Sequence, residues 1–411
     1  MSGQTEIMWG EVADTTLVAH EITNDWKEVT LADVVSKLGD GLHGTPKYDE
    51  QGEYAFINGN NLLNGKIVVK KTTQRANEEE YRKHRKDLNE RTILVSINGT
   101  LGNVALYNNE KCILGKSACY FNVLPEVDRL FIKYVVTGQA FQEHIRNFAH
   151  GTTIQNVSLK TMREYPFLLP SLPEQRSIAD VLSSLDDKID LLHRQNATLE
   201  ALAETLFRQW FVEEAKEEWD EVTVGDYVRM NDESIGKGYT HSIINYLDTG
   251  SITEGKIDAF QTLTLKEAPS RARRLVKHND ILISTVRPDQ RHYGIIKSPV
   301  ANLVASTGFC VLSCQDINPH FIYCLLTADE MIEYMHSIAE GSTSTYPSLK
   351  PSDIAKIEFK LPPKEMMDSF AAYADDAWDK IESNYIQIRT LSNLRDTLLP
   401  KLMSGEVRVA Y

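Results

Sequence analysis

Residues 171–210 read SLPEQRSIADVLSSLDDKIDLLHRQNATLEALAETLFRQW, and this stretch decides the architecture. Ser171 and Glu174 stand at the spacing of a capping box, with Pro173 in the first turn of the helix they predict. Ile178, Leu182, Leu185, Ile189, Leu192, Asn196, Leu199, Ala203, Leu206 and Trp210 then follow in alternating steps of four and three. That is a heptad seam, and no glycine or proline interrupts it. At ~1.5 Å per residue the predicted helix spans ~50 Å. A less regular seam in the same register recurs at Phe370, Ala374, Ala377, Ile381, Asn384, Ile388, Leu391, Arg395, Leu398 and Leu402. Two such helices in one chain are expected to bury their seams on each other.

The recurrence extends to the rest of the chain. Trp26-Lys-Glu-Val-Thr-Leu-Ala-Asp33 returns as Trp219-Asp-Glu-Val-Thr-Val-Gly-Asp226. Ile93-Leu-Val-Ser96 returns as Ile281-Leu-Ile-Ser284, Gly151-Thr-Thr153 as Gly341-Ser-Thr343, and Ser158-Leu-Lys160 as Ser348-Leu-Lys350. Asp187-Lys-Ile-Asp190 returns as Asp379-Lys-Ile-Glu382. The offsets stay between 188 and 193 and the order is kept, so the chain is two copies of one unit of ~190 residues. Each copy starts with a mixed part, with strand-like runs at 92–97, 104–107 and 119–123, then 280–286, 293–297 and 308–312. A helical pattern follows at 130–148 and 319–338, and a long helix closes each copy. The repeats predict an α+β chain: two pseudo-symmetric mixed α/β domains separated by a long antiparallel two-helix coiled coil. The segments are a lead-in at 1–24, a first mixed domain at 25–168, a spacer helix at 169–217, a second domain at 218–360 and a second spacer helix at 361–411. Antiparallel overlap places Asn196 opposite Asn384, where a buried amide pair would fix the register at some cost in stability.

Composition narrows the chemistry. The 411 residues are 42% apolar and 25% charged, as in ordinary globular chains, and contain no run long enough for a transmembrane helix. Residues 1–24 carry four acids and no base, which predicts an acidic, partly extended lead-in and not a secretory signal. Five cysteines without a C-x-x-C pair predict buried free thiols in a cytoplasmic protein, with no disulfide framework and no metal site. Gly115-Lys-Ser117 lacks the upstream glycine of a phosphate loop, since Glu110 stands there, and Asn318-Pro-His-Phe321 reads as a helix start. No catalytic motif stands out, so no catalytic residue is assigned.

The net charge of −14 argues at first against a polyanionic partner. By segment, however, residues 25–165 hold 19 bases against 17 acids. Basic residues gather at one matching place in each copy. The first cluster contains Lys70, Lys71, Arg75, Arg82, Lys83, Arg85 and Lys86; the second contains Arg271, Arg273, Arg274 and Lys277. At an offset of 188, Lys83, Arg85 and Lys86 align with Arg271, Arg273 and Arg274. Each cluster precedes the repeated Ile-Leu-x-Ser strand, which leads into Asn98-Gly-Thr-Leu-Gly102 or Arg287-Pro-Asp-Gln-Arg291. Thr100 in a glycine turn can face a phosphate, and Arg287 and Arg291 can read guanine edges or hold phosphates. These fourteen residues are the candidate DNA contacts.

The combined pattern resembles the specificity (S) subunits of type I restriction-modification systems. The resemblance is carried by Leu169-Pro-Ser-Leu-Pro-Glu-Gln175, Asp187-Lys-Ile189 and the heptad helix, by their degenerate counterparts Leu361-Pro-Pro-Lys-Glu365 and Asp379-Lys-Ile381, and by Arg91–Ser96 and Asn279–Pro288. It covers the chain from Trp26 onward. It implies that each mixed part is a target recognition domain reading half of a bipartite, asymmetric double-stranded DNA site. It also implies that the helices set the spacing and dock two methyltransferase (M) subunits, through which restriction (R) subunits join. The chain would then be non-catalytic and carry no cofactor, with S-adenosylmethionine, ATP and magnesium on the partner subunits. Without the resemblance, the residues also fit a pseudo-symmetric coiled-coil adaptor that binds proteins and no DNA. The acidic total favours that alternative and the doubled basic cluster opposes it.

Overall fold

A computed structural model describes residues 17–19, 25–151, 155–257, 260–341 and 346–409. The expectation for the lead-in therefore lies almost wholly outside the described residues, as do parts of the Gly151 and Gly341 repeats. The chain divides into two compact units, residues 1–189 with 389–411, and residues 190–388. This division differs from the five segments expected. The boundary cuts both long helices, because each unit takes in the part of each helix that packs on its own core.

In the first unit, four antiparallel strands lie in the order Val35–Asp40, Ala118–Val123, Thr92–Ser96, Val104–Leu106. Thr92–Ser96 is buried along its whole length, which suits its continuous apolar run. The seam residues Ile178, Leu182 and Leu402 join Phe121, Phe131 and Phe141 in the core. A smaller sheet pairs Tyr54–Ile57 with Cys112–Leu114 in parallel and with Arg75–Ala76 antiparallel.

The second unit repeats the plan. Its sheet runs Val228–Met230, Phe309–Cys314, Asp280–Ser284, Tyr293–Ile296, the same order with the same buried strand in third place. The repeated Trp-x-Glu-Val-Thr motif makes the same local structure twice. Thr30 donates its backbone N–H to Asp33 Oδ2 at 2.8 Å, and Thr223 does so to Asp226 Oδ2 at 2.8 Å. The accessory sheet differs, with four strands, Gln261–Thr264, Ile243–Leu247, Leu303–Ser306 and Ala272–Leu275. Here Ala203, Phe207, Phe370, Ala374 and Ile381 enter the core.

The long helices span Leu172–Arg208 and Lys364–Ser404. No position of either predicted seam is exposed. Within the second unit Asn196 meets Asn384 and Phe207 packs on Phe370, so partner numbers fall on one helix as they rise on the other, and the helix segments there pair antiparallel. Pro400 lies inside the second helix, in its last turns, where one lost N–H bond does not end it.

Two expectations are corrected. The capping box at Ser171 is not formed by Glu174. Its buried carboxylate instead accepts from Trp26 Nε1 at 3.1 Å and lies 3.5 Å from Arg408, because the helix start is docked into the domain. Gln175 is likewise buried, accepting from Asp128 N at 2.8 Å and donating to the Pro170 carbonyl at 2.8 Å. Lastly, the helical stretches at 130–148 and 319–338 are each two helices. Arg129–Thr137 and Gln139–Asn147 break at Gly138, and Pro319–Thr327 and Asp329–Glu340 break at Ala328. Extended backbone at these residues, ψ 151° and 143°, ends the helical ladder. Glycine disfavours helix, but alanine does not; at Ala328 packing of both flanking helices overrides propensity. No described helix is long and apolar enough to cross a membrane. The five cysteines are free thiols, and burial pushes those of Cys112, Cys310 and Cys314 up to about 12, which leaves them inert near neutrality.

Candidate nucleic-acid interface

Both buried central strands end in a serine that starts an exposed loop. In the first unit Ser96 Oγ donates to the Thr100 carbonyl, which turns the chain back on itself and leaves Thr100 exposed. Gly99 and Gly102 take φ of 76° and 83°, where glycine is the unstrained choice. Any Cβ at Gly102 would strike Gln142, whose Nε2 donates to the Gly102 carbonyl at 2.9 Å. The neighbouring segment supports the loop from the side, through Gly99 N to Gln155 O at 3.0 Å and Asn98 Nδ2 to Asn156 Oδ1 at 3.1 Å.

The second unit builds the same device from other residues. Ser284 Oγ donates to the Val286 carbonyl at 2.9 Å, and Arg287 N donates to the Pro347 carbonyl at 3.0 Å. A short 3-10 turn, Pro288–Gln290, is flanked by Arg287 and Arg291, whose φ values are 49° and 56°. Left-handed arginine is costly for a β-carbon-bearing residue, and such strain concentrates where function requires it. The Arg287 guanidinium lies 4.9 Å from the centre of the Tyr346 ring. Arg291 pairs with Asp329 at 2.5 Å and Glu254 at 3.8 Å, and Asp329 holds its charge firmly on. Asp289 lies 3.2 Å from His336 Nδ1.

The residues of the two expected basic clusters lie on different local structures. Arg82 and Lys83 lie on the helix Glu78–His84, capped by Asn77, and Arg85 and Lys86 follow it. Their aligned counterparts Arg273 and Arg274 lie on the strand Ala272–Leu275, with Arg271 just before it. Three consecutive glutamates and an asparagine cap favour helix in the first copy. In the second, pairing with Leu303–Ser306 draws the segment into a sheet. Alignment in sequence therefore does not make these residues equivalent in space.

Ion pairing sorts the fourteen candidates. Arg82 is held by Glu78 at 2.7 Å, Lys83 by Glu79 at 2.8 Å and Glu80 at 3.2 Å, Lys277 by Glu233 at 2.6 Å, and Arg291 by Asp329. Among the described residues, no carboxylate pairs with Lys70, Lys71, Arg75, Arg85, Lys86, Arg271, Arg273, Arg274 or Arg287. Arg274 is half-buried, with Nη1 3.4 Å from Ser234 Oγ, and Arg75 reaches the Gly52 carbonyl at 3.5 Å. The others apart from Lys86 are exposed. Exposed cations of this kind suit phosphate contacts, which position a protein on a duplex without reading sequence.

Two motifs set aside on spacing have structural roles. Ser117 Oγ accepts from Gly59 N at 2.8 Å and donates to Asn58 Oδ1 at 2.9 Å, tying two turns together. Asn318 Oδ1 accepts from the N–H groups of His320 and Phe321 and caps a helix. Sequence reasoning did not select Tyr346, Asp329, His336 or Gln142. The only signal for the first was the repeated Ser-Leu-Lys motif two residues downstream of it, which marked a recurring segment but not its contact with the loop.

The helix pair also has a polar centre. Asn384 Nδ2 donates to Asn196 Oδ1 at 2.7 Å and to Gln195 Oε1 at 2.9 Å, with Asn196 and Asn384 only 2% and 0% exposed. Asp186 is ringed by Lys133 at 2.6 Å, the Tyr134 hydroxyl at 2.8 Å and Arg395 at 3.1 Å.

Comparison with known proteins places this architecture. Residues 23–201 match the family described as Type I restriction modification DNA specificity domain. The chain is 27% identical over 352 residues to the type I restriction enzyme MjaIX specificity subunit of Methanocaldococcus jannaschii, covering 77% of this chain and 78% of that protein. It is 26% identical over 183 residues to the HindI specificity subunit of Haemophilus influenzae, covering 44% and 40%. In fold it is similar to the crystal structure of a type I S subunit from M. genitalium, with a TM-score of 0.59 at 20% identity, covering 93% of this chain and 97% of that one. With its two-fold repeat, paired heptad helices and matching specificity domain over residues 23–201, the chain is similar in sequence and in fold to type I specificity subunits.

Proposed function

We propose that this chain reads a bipartite, asymmetric double-stranded DNA site, one half-site with each unit, and that its helix pair docks two methyltransferase subunits. The observation that carries the reading is the loop after each buried central strand: the same position in the fold, but different chemistry, Gly-Thr-Leu-Gly in one unit and Arg-Pro-Asp-Gln-Arg in the other. Two different readers in one chain call for two different half-sites. Half-sites about one helical turn of DNA apart, ~34 Å or ~10 bp, suit helices of this length. The helix pair then acts as the ruler between them.

Adenine methylation and ATP-driven cleavage fall to the partner M and R subunits in this reading, which also bind S-adenosylmethionine, ATP and magnesium. The place of action is the cytoplasm. A net charge of −14 supports weak DNA binding by the isolated chain, with affinity added by the partners and sequence choice supplied here.

The test is to co-express the chain with an M subunit and map methylated adenines over a genome. The expected result is one bipartite motif with unlike halves. Seven residues inserted beside Asn196 should lengthen the unread spacer and leave both halves intact. A contiguous motif, or an unchanged spacer in the insertion variant, would overturn the reading.

A further inference from the structure

The loop at 287–291 carries three charged side chains, and the structure gives them different tasks. Arg291 is held by Asp329, and Asp289 lies 3.2 Å from His336 Nδ1 without a hydrogen bond to it. Asp329 and His336 lie on the helix Asp329–Glu340, seven residues and so about two turns apart on one face. The loop is thereby tied to this helix by the Arg291–Asp329 pair and rests near it again at His336. Its first residue is anchored through the backbone, by Arg287 N to Pro347 O at 3.0 Å. Arg287 is the one charged side chain of the loop that no carboxylate among the described residues engages. It is exposed and lies over the ring of Tyr346, itself 56% exposed.

The backbone supports the same division. Arg287 and Arg291 correspond, at offsets of 188 and 189, to Gly99 and Gly102 of the first unit, which hold the same left-handed turns. Glycine holds this loop shape without strain. Arginine at both places is explained by what its side chain reaches: for Arg291 an internal carboxylate, for Arg287 the solvent beside an aromatic face.

We propose that Arg287 and Tyr346 together form the side-chain reader of the second unit, taking the Hoogsteen edge of a guanine in the major groove, and that Arg291 is a positioning residue that fixes it. The guanidinium presents two parallel N–H donors to guanine O6 and N7, the pairing its planar fork matches. Stacking on Tyr346 restricts the side chain before DNA arrives, so less freedom is lost on binding. The first unit has Gly99 at the equivalent place and no such side chain, so its half-site is read by other groups.

This inference rests on the bipartite reading above, and the experiment separates the two. Methylation motifs are mapped for co-expressed complexes of the wild type and of Arg287→Ala, Arg287→Lys, Tyr346→Ala, Tyr346→Phe, Arg291→Ala and Arg291→Lys. Arg287→Ala and Arg287→Lys should each lose about 10- to 100-fold of discrimination for guanine at one position of one half-site. Tyr346→Ala should weaken the same position, and Tyr346→Phe should keep it. Arg291→Ala should blur that half-site at several positions, and Arg291→Lys, still able to pair with Asp329, should restore it. Faithful reading of the other half-site by every variant reports an intact fold. A wild-type motif in both Arg287 variants, or equal loss at both half-sites, overturns the assignment and leaves the bipartite reading standing. A wild-type complex without a bipartite motif overturns both.

Discussion

Asn196 and Asn384 meet inside the helix pair, and their separation of 2.7 Å with almost no exposure sets the size of a measurable effect. Replacing Asn384 by leucine removes the donor to Asn196 Oδ1 and leaves that carbonyl buried without a partner. A buried polar group orphaned in this way costs about 1–3 kcal/mol. Replacing Asn196 instead leaves Asn384 with Gln195 at 2.9 Å, so its cost lies at the lower end, about 1 kcal/mol. Replacing both restores a matched, apolar contact, and the double variant should be within ~1 kcal/mol of the wild type or more stable. The double-mutant cycle therefore predicts a coupling of about 2 kcal/mol or more. Because the chain has two units, a single unfolding midpoint would mix them. Hydrogen exchange over residues 190–204 and 374–388 reads the affected helix segments directly. Additive costs, or a double variant less stable than both singles, would show that the amide pair does not carry the coupling argued here.

Two further predictions concern charge. Burial first, with repulsion from Glu204 and Glu254, pushes Glu200 up to about 7. Its folded value thus exceeds the ordinary 4.5, so stability is greatest below pH 4.5 and falls as pH rises to about 7. Glu200→Gln should accordingly stabilise the second unit at pH 8, by on the order of 2–3 kcal/mol, and make little difference at pH 4. Urea unfolding at the two pH values checks this, and a gain independent of pH would refute it. Asp186 runs the other way. Burial opposes its ionisation, but Lys133, Tyr134 and Arg395 outweigh that and hold its carboxyl below the ordinary value of 3.8. Its contribution is present above pH 3.8 and is lost as pH falls through the lowered value. Asp186→Asn should cost the first unit about 1–3 kcal/mol at pH 7, discounted for partial exposure, and less in acid. Unchanged exchange protection over residues 129–137 at pH 7 would refute that.

Much of the molecule was legible before any coordinates. The heptad seam names its own buried face because side chains at steps of three and four share one side of a helix, and no seam position came out exposed. Ile93-Leu-Val-Ser96 and Ile281-Leu-Ile-Ser284 were readable as strands, and their burial on both faces is what the fold adds. The amide pair followed from antiparallel overlap alone. The basic clusters were legible as composition and misleading as geometry: the alignment of Arg85 with Arg273 is real in sequence, yet one follows a helix and the other lies in a strand. The Ser171–Glu174 spacing was similarly ambiguous. It is a local signal, and the carboxylate found Trp26, distant in sequence, instead.

The sequence by itself determined the two-fold repeat, the recurring Ile-Leu-x-Ser strand of each copy and the helical seam, since each depends on periodicity or on recurrence along the chain. Only the tertiary structure decided which charged side chains are available to a partner. Arg287 and Arg291 are the same residue type, four positions apart and both left-handed, and nothing local distinguishes them. Arg291 is taken up by Asp329, and Arg287 is set over Tyr346, because the fold brings together residues 38 and 59 positions away along the chain. Charge neutralisation depends on distance in space, and sequence patterns do not carry that distance.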